Sequence, residues 1–139
     1  SRRLLAEAEG TTWAGMPAGT TAGHIHLKVS NLDKAKAFYS GHLGLAVTQK
    51  GYPGALFFAA GEYHHHVGAN IWDSRNAQPA PAGTAGLRSF SLVLPTQDDV
   101  ESLKLRTAQS GLPLEPLPHA PEGFATRDTD RIAVGIEAL

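Results

Sequence analysis

The chain has 139 residues, 42% of them apolar, and its 12 Lys and Arg against 13 Asp and Glu leave a formal net charge of −1. That length and apolar share suit one compact domain or two small modules around a shared core. The near-neutral balance, without a Lys/Arg run, argues against nucleic acid or an anionic membrane as partner, and no apolar stretch is long enough to span a bilayer. There is no cysteine, which excludes disulfides, thiolate ligands and cysteine nucleophiles. Any metal must be held by His, Asp, Glu or water, which suits Fe(II), Mn(II), Zn(II) or Ni(II). No secretory signal is visible, so a cytoplasmic protein is expected. The first residue is Ser1 rather than Met, which leaves room for a longer parent chain with an upstream domain.

Residues 1–22 open on a short helical stretch, Leu4 to Ala8, followed by a connector rich in Gly, Thr and Pro. Gly23 to Val29 alternates, with Ile25, Leu27 and Val29 on one face and His24, His26 and Lys28 on the other, as a half-buried strand does. Asn31 is an N-cap for a helix over Leu32 to Tyr39, which Gly41 and Gly44 stop. Strands follow at Leu45 to Gln49 and Ala55 to Ala59. His64 to Trp72 reads as a fourth strand, placing His64, His66, Asn70 and Trp72 on one face and His65 on the helix side or in a turn. Asp73 ends this first module, and a Pro/Ala/Gly linker extends to Gly86. The order then recurs over residues 87–139: a strand to Leu94 with Ser89 and Ser91 on its polar face, a helix from Thr96 or Gln97 to Ser110, and strands at Leu112 to Leu117, Phe124 to Arg127 and Ile132 to Glu137.

The expected fold is therefore α+β. Two β-α-β-β-β modules, residues 23–73 and 87–139, each lay one sheet face against a helix and leave the opposite faces to build a shared sheet-lined cup. Five of the seven histidines sit in two short segments, His24/His26 and His64 to His66. Neutral imidazole is the commonest ligand for transition metals and titrates near neutral pH, so strands that bring these segments together would form a metal or polar-substrate site.

The string GHIHLKVSNLDKAKAFYSGHLGL resembles the opening of vicinal-oxygen-chelate proteins, the superfamily of glyoxalase I, bleomycin- and fosfomycin-resistance proteins and extradiol dioxygenases. GALFFAAGEYHHHVGANIW, with the linker and GLRSFSLVLP after it, is similar to the C-terminal half of catechol-2,3-dioxygenase-like proteins. The resemblance implies a ring-cleavage dioxygenase-like enzyme acting on a small vicinal-oxygen substrate such as a catechol. It also implies a divalent metal, foremost Fe(II). It puts His24 at the first-strand ligand position and His66 near the fourth-strand one. The second module departs from the pattern: Ser89 holds the place of a family His, and Gly135 that of a family Glu. Glu137, two residues on with the same parity, is the candidate third ligand. His64 or His26 would serve as acid/base, and Lys28, Asn70, Trp72, Ser89 and Ser91 would line the substrate pocket. His119 and His42 read as a loop histidine and a helix-end histidine. Two alternatives stand beside this reading: a metal-free protein that sequesters a small ligand in the cup, favoured by Ser89 and Gly135, and a glyoxalase-like isomerase. The expected partner is a small molecule, with a homodimer or an upstream domain as further partners.

Overall fold

The computed structural model describes residues 2–81 and 83–139; Ser1 and Ala82, the latter within the expected linker, lie outside the described residues. A short helix α1 (Arg2–Glu7) and an exposed connector lead to β1 (Ile25–Lys28). Leu27 and Val29 are buried, while His24, His26 and Lys28 are exposed, so one face of β1 meets the core and the other meets water. Asn31 caps α2 (Leu32–Lys36), its side chain accepting from Lys34 N at 3.0 Å. The helix then does not stop at Tyr39. It widens into a π-helical turn, Ala37–His42, closed by Leu43 N donating to Phe38 O at 3.0 Å. Gly44, at φ +84°, ends the segment, whereas Gly41 lies within the turn. Both neighbouring rings, Phe38 and Tyr39, reach the core.

Strands β2 (Ala46–Gln49), β3 (Ala55–Ala59) and β4 (Val67–Asn70) complete a sheet of order β1-β4-β3-β2, in which β1 and β4 run parallel. The second half repeats the plan with β5 (Ser89–Leu94), α3 (Gln97–Gln109), β6 (Phe124–Arg127) and β7 (Ala133–Ala138), in the order β5-β7-β6 with β5 parallel to β7. Two expected strands are shorter than the sequence pattern implies. Leu112 to Leu117 is reduced to a single bridge, Glu115 with Ala125, because Pro113, Pro116 and Pro118 remove ladder donors around it. The fourth strand begins only at Val67, so the three consecutive histidines precede it.

One apolar core joins both halves, from Tyr39, Phe58 and Val67 to Val100, Phe124 and Ile136. Each such fully buried apolar side chain contributes about 1.5–3 kcal/mol. A polar latch crosses the same junction. Tyr39 donates its hydroxyl to Asp128 Oδ2 at 2.8 Å, and Asp128 Oδ1 accepts from the N–H groups of Asp130 and Ile132, each at 2.9 Å. Asp130 Oδ1 in turn accepts from Ser30 N at 3.0 Å, so the β6–β7 turn is tied at two points to the first half. Burial pushes the Asp128 carboxyl above its ordinary range, outweighing the hydrogen bonds that lower it. Burial, with the neighbouring carboxylate, keeps the Tyr39 phenol protonated far above its ordinary range.

Tyr39→Phe is expected to lower the unfolding free energy by about 1–2 kcal/mol in urea denaturation, because Asp128 loses its buried donor. Since folding raises the Asp128 pKa, its protonation favours the native state at acid pH, and that contribution fades as pH rises past the ordinary carboxyl value of 3.8. Relative to Asp128→Asn, the native protein should therefore lose stability as pH rises above 3.8; a stability difference that does not change with pH would contradict the latch.

Candidate metal centre

The site follows from strand register. Ile25 N donates to His66 O at 2.9 Å, and the parallel ladder then sets Ile25 opposite Val67, His26 opposite Gly68 and Lys28 opposite Asn70. On the far side of β4, β3 sets Phe57 opposite Gly68. His26, Gly68 and Phe57 thus form one row on the open face of the first sheet, since cross-strand partners point the same way. Gly68 matters because it lacks a side chain: a Cβ there would stand 3.0 Å from the His26 ring.

The loop before β4 supplies the rest. His26 Nε2 lies 2.8 Å from His65 Nε2, and one ring nitrogen from each of His24, His26 and His65 falls within 4.8 Å of the others. The His65 ring also lies 4.6 Å from that of His24 and 4.9 Å from that of Phe57. Thr48 Oγ1, on β2, donates to His64 O at 2.8 Å and pins the loop. His65 is held below the ordinary imidazole range, first by loss of solvent and then by the surrounding imidazoles, which favours the neutral form that ligates metals.

The structure gathers a different trio from the one expected. His65, expected on the helix side or in a turn, joins His24 and His26. Strand alternation does not govern it, because the regular ladder of β4 starts at Val67. His66 is directed elsewhere: its Nδ1 accepts from Ala60 N at 3.3 Å, and it lines, with His24, Leu43, Leu45, Phe90 and Leu103, a largely apolar cavity of about 380 Å³. Glu137 lies on β7 in the second sheet, 3.3 Å from His119 Nε2, and does not join the imidazole cluster. His64 flanks the trio, its ring 5.4 Å from His24 and 4.5 Å from His65.

Among the expected pocket residues, Lys28 is held by Asp73 at 2.7 Å on the rim. Asn70 is buried on the same face as His26, and its Oδ1 has no hydrogen-bond partner among the described residues. Trp72 is exposed in the turn two residues past the end of that strand, its Nε1 donating to Pro53 O at 3.0 Å. Ser89 is exposed, while Ser91 lines the apolar cavity and sits opposite Gly135, where a Cβ would come within 2.6 Å of its hydroxyl. His42 ends the π-helical turn. The sequence pattern missed His65 and also Phe57 and Gly68. The one cue for Gly68 was a glycine inside a strand, which marks close approach of a neighbour.

Do these residues suit a metal? Two ligand nitrogens at 2.0–2.1 Å from a common ion stand about 3.4 Å apart in tetrahedral geometry. Separations from 2.8 Å up to the 4.8 Å bound surround that value. The trio could therefore hold a divalent ion with small adjustments of the rings, leaving further positions open. Among the described residues no carboxylate joins it.

Comparison with known proteins agrees with the fold. A family model described as Glyoxalase/Bleomycin resistance protein/Dioxygenase superfamily matches residues 21–135. A catechol-2,3-dioxygenase of Bacillus subtilis (strain 168) is 44% identical over 114 residues, which is 81% of this chain; the chain spans 40% of that protein's length. Among solved structures, a lactoylglutathione lyase from Agrobacterium tumefaciens superposes with TM-score 0.62 at 19% identity, covering 88% of this chain and 96% of its own. A glyoxalase/bleomycin resistance protein/dioxygenase from Alicyclobacillus acidocaldarius superposes with TM-score 0.62 at 16% identity, covering 88% and 94%. At such identities the solved structures speak to the fold alone.

In a Co(II) titration followed by visible absorption, His65→Ala should weaken binding by about 100-fold or more, whereas His66→Ala should leave it within about threefold. Gly68→Ala, which crowds the His26 ring, should weaken it by about 10-fold. Equal losses for His65→Ala and His66→Ala would contradict the trio.

Proposed function

The chain belongs to the Glyoxalase/Bleomycin resistance protein/Dioxygenase superfamily, and on that footing we propose that it is the metal-binding part of a ring-cleavage dioxygenase acting on a catechol-like vicinal diol. The observation that carries this reading is the meeting of His24, His26 and His65 on one solvent-facing sheet surface, beside an aromatic wall. The 44% identical relative named for catechol-2,3-dioxygenase supports the substrate class. A divalent ion, Fe(II) foremost with Mn(II), Zn(II) or Ni(II) as substitutes, would supply charge stabilisation and a template for two adjacent substrate oxygens.

The protein's own groups divide the remaining work. His24, His26 and His65 would hold the ion, the surroundings of His65 favouring its neutral, ligating form. His64, exposed and beside two of these rings, is placed to take a proton from a diol hydroxyl. Phe57 stands edge-on to the His65 ring at 4.9 Å and gives the site an aromatic side. Asn70 lies buried on the same face, its Oδ1 without a hydrogen-bond partner among the described residues.

A second reading has its own observation. The largely apolar cavity beside His24 and His66 is of a size to enclose a small ligand and would suit a sequestering protein. Metal analysis of the purified protein and oxygen uptake separate the two. The dioxygenase reading expects about one divalent ion per chain and catechol-dependent oxygen consumption after Fe(II) loading, both lost in His24→Ala. Ligand-induced thermal stabilisation with no bound metal and no oxygen consumption would sink it and favour sequestration.

A further inference from the structure

The imidazole trio is one end of a longer row of rings. Phe57 lies 4.9 Å from His65 and 5.8 Å from His26, Tyr52 lies 6.0 Å from Phe57, and Trp72 lies 6.1 Å from Tyr52. All of these spacings are those of interacting aromatic rings. The row borders a sheet floor of small or polar residues, Ala55, Gly68 and Asn70, which share a face with His26 and Phe57. Its outer members are open to solvent: Tyr52 is 53% exposed and Trp72 is 57% exposed.

Exposed aromatic residues are common singly and need no explanation. Trp72 differs in being both exposed and fixed. Its Nε1 is held by Pro53 O at 3.0 Å. Its ring also fills the place where Gly54, at φ +73°, would otherwise carry a Cβ, with Cδ1 3.0 Å and Nε1 3.1 Å away. A side chain at Gly54 would be strained by its backbone and would meet the indole ring. The β2–β3 turn is thus shaped around an indole that still presents more than half of its surface. On the floor nearby, Asn70 is 7% exposed, and its Oδ1 has no hydrogen-bond partner among the described residues.

From this geometry we infer that Tyr52 and Trp72 form a subsite for a second planar ring, so that the preferred substrate is a vicinal diol carrying an aryl substituent rather than a bare catechol. The inference rests on the reading of His24, His26 and His65 as the diol-binding end. The diol meets the imidazole end, and the substituent extends along the row towards Trp72. Lys28, on the rim, is engaged by Asp73, and stacking between two rings needs no added charge.

The test is isothermal titration of the Zn(II)-loaded protein with catechol and with 4-phenylcatechol. The native protein should bind 4-phenylcatechol about 10-fold more tightly than catechol. Trp72→Ala and Tyr52→Ala should each shrink that preference to about twofold while leaving the catechol affinity unchanged. Trp72→Phe, which keeps a ring but loses the Pro53 bond, should fall between. A native protein that binds catechol through its metal yet shows no preference for the second ring would overturn the subsite and leave the dioxygenase reading intact. Failure of both ligands to bind in a metal-dependent way would overturn that reading as well. Loss of self-association in Trp72→Ala, with both affinities unchanged, would assign the row to a protein interface and overturn the subsite.

Discussion

The parallel pairing of β1 with β4 is the constraint from which the site follows. Parallel strands cannot be joined by a tight turn, so the chain must leave β1, pass through α2, β2 and β3, and return beside its own start. That return is what sets His24 and His26 against the loop holding His64 to His66, forty residues later in sequence. The register leaves no slack: one rung of slip would place Ala69 rather than Gly68 opposite His26, and a methyl group would then occupy the space beneath the ring. Burial of Leu27, Val67 and Ala69 on the opposite face fixes that register, so the apolar core sets the position of the imidazoles.

The second sheet shows the same device with different chemistry. Ser91 stands opposite Gly135 as His26 stands opposite Gly68, each on a first strand paired parallel to a last one, and in each case the glycine leaves room for its neighbour. The two halves therefore share a backbone plan while the imidazole cluster lies in the first. The second half contributes instead to the common core and to the Asp128 latch on Tyr39. The connection runs through the buried junction, so the second sheet supports the site without supplying a ligand to the cluster.

Much of the fold was legible in the sequence because the signals were periodic. Ile25, Leu27 and Val29 alternate, Asn31 caps its helix, and the repeat of element order is visible across the linker. The legible part of the site was the regular part: His24 and His26 project from the polar face of β1. The illegible part lay where regularity stops. Alternation extended backwards from β4 puts His66 with His26, but the ladder begins at Val67, and the loop before it turns His65 towards the trio and His66 towards the apolar cavity. Phe57 was hidden for another reason. In the run Leu56-Phe57-Phe58 every residue is apolar, so composition cannot say which ring faces the core and which faces the imidazoles; only the pairing with Gly68 decides it.

Anomalous diffraction from crystals loaded with Co(II) or Zn(II) tests the central claim most directly. The account predicts one strong peak bonded to nitrogens of His24, His26 and His65, at about 2.0–2.1 Å for Zn(II). A peak bonded instead to His66 and Glu137, or an ion seated away from both histidine segments, would contradict it.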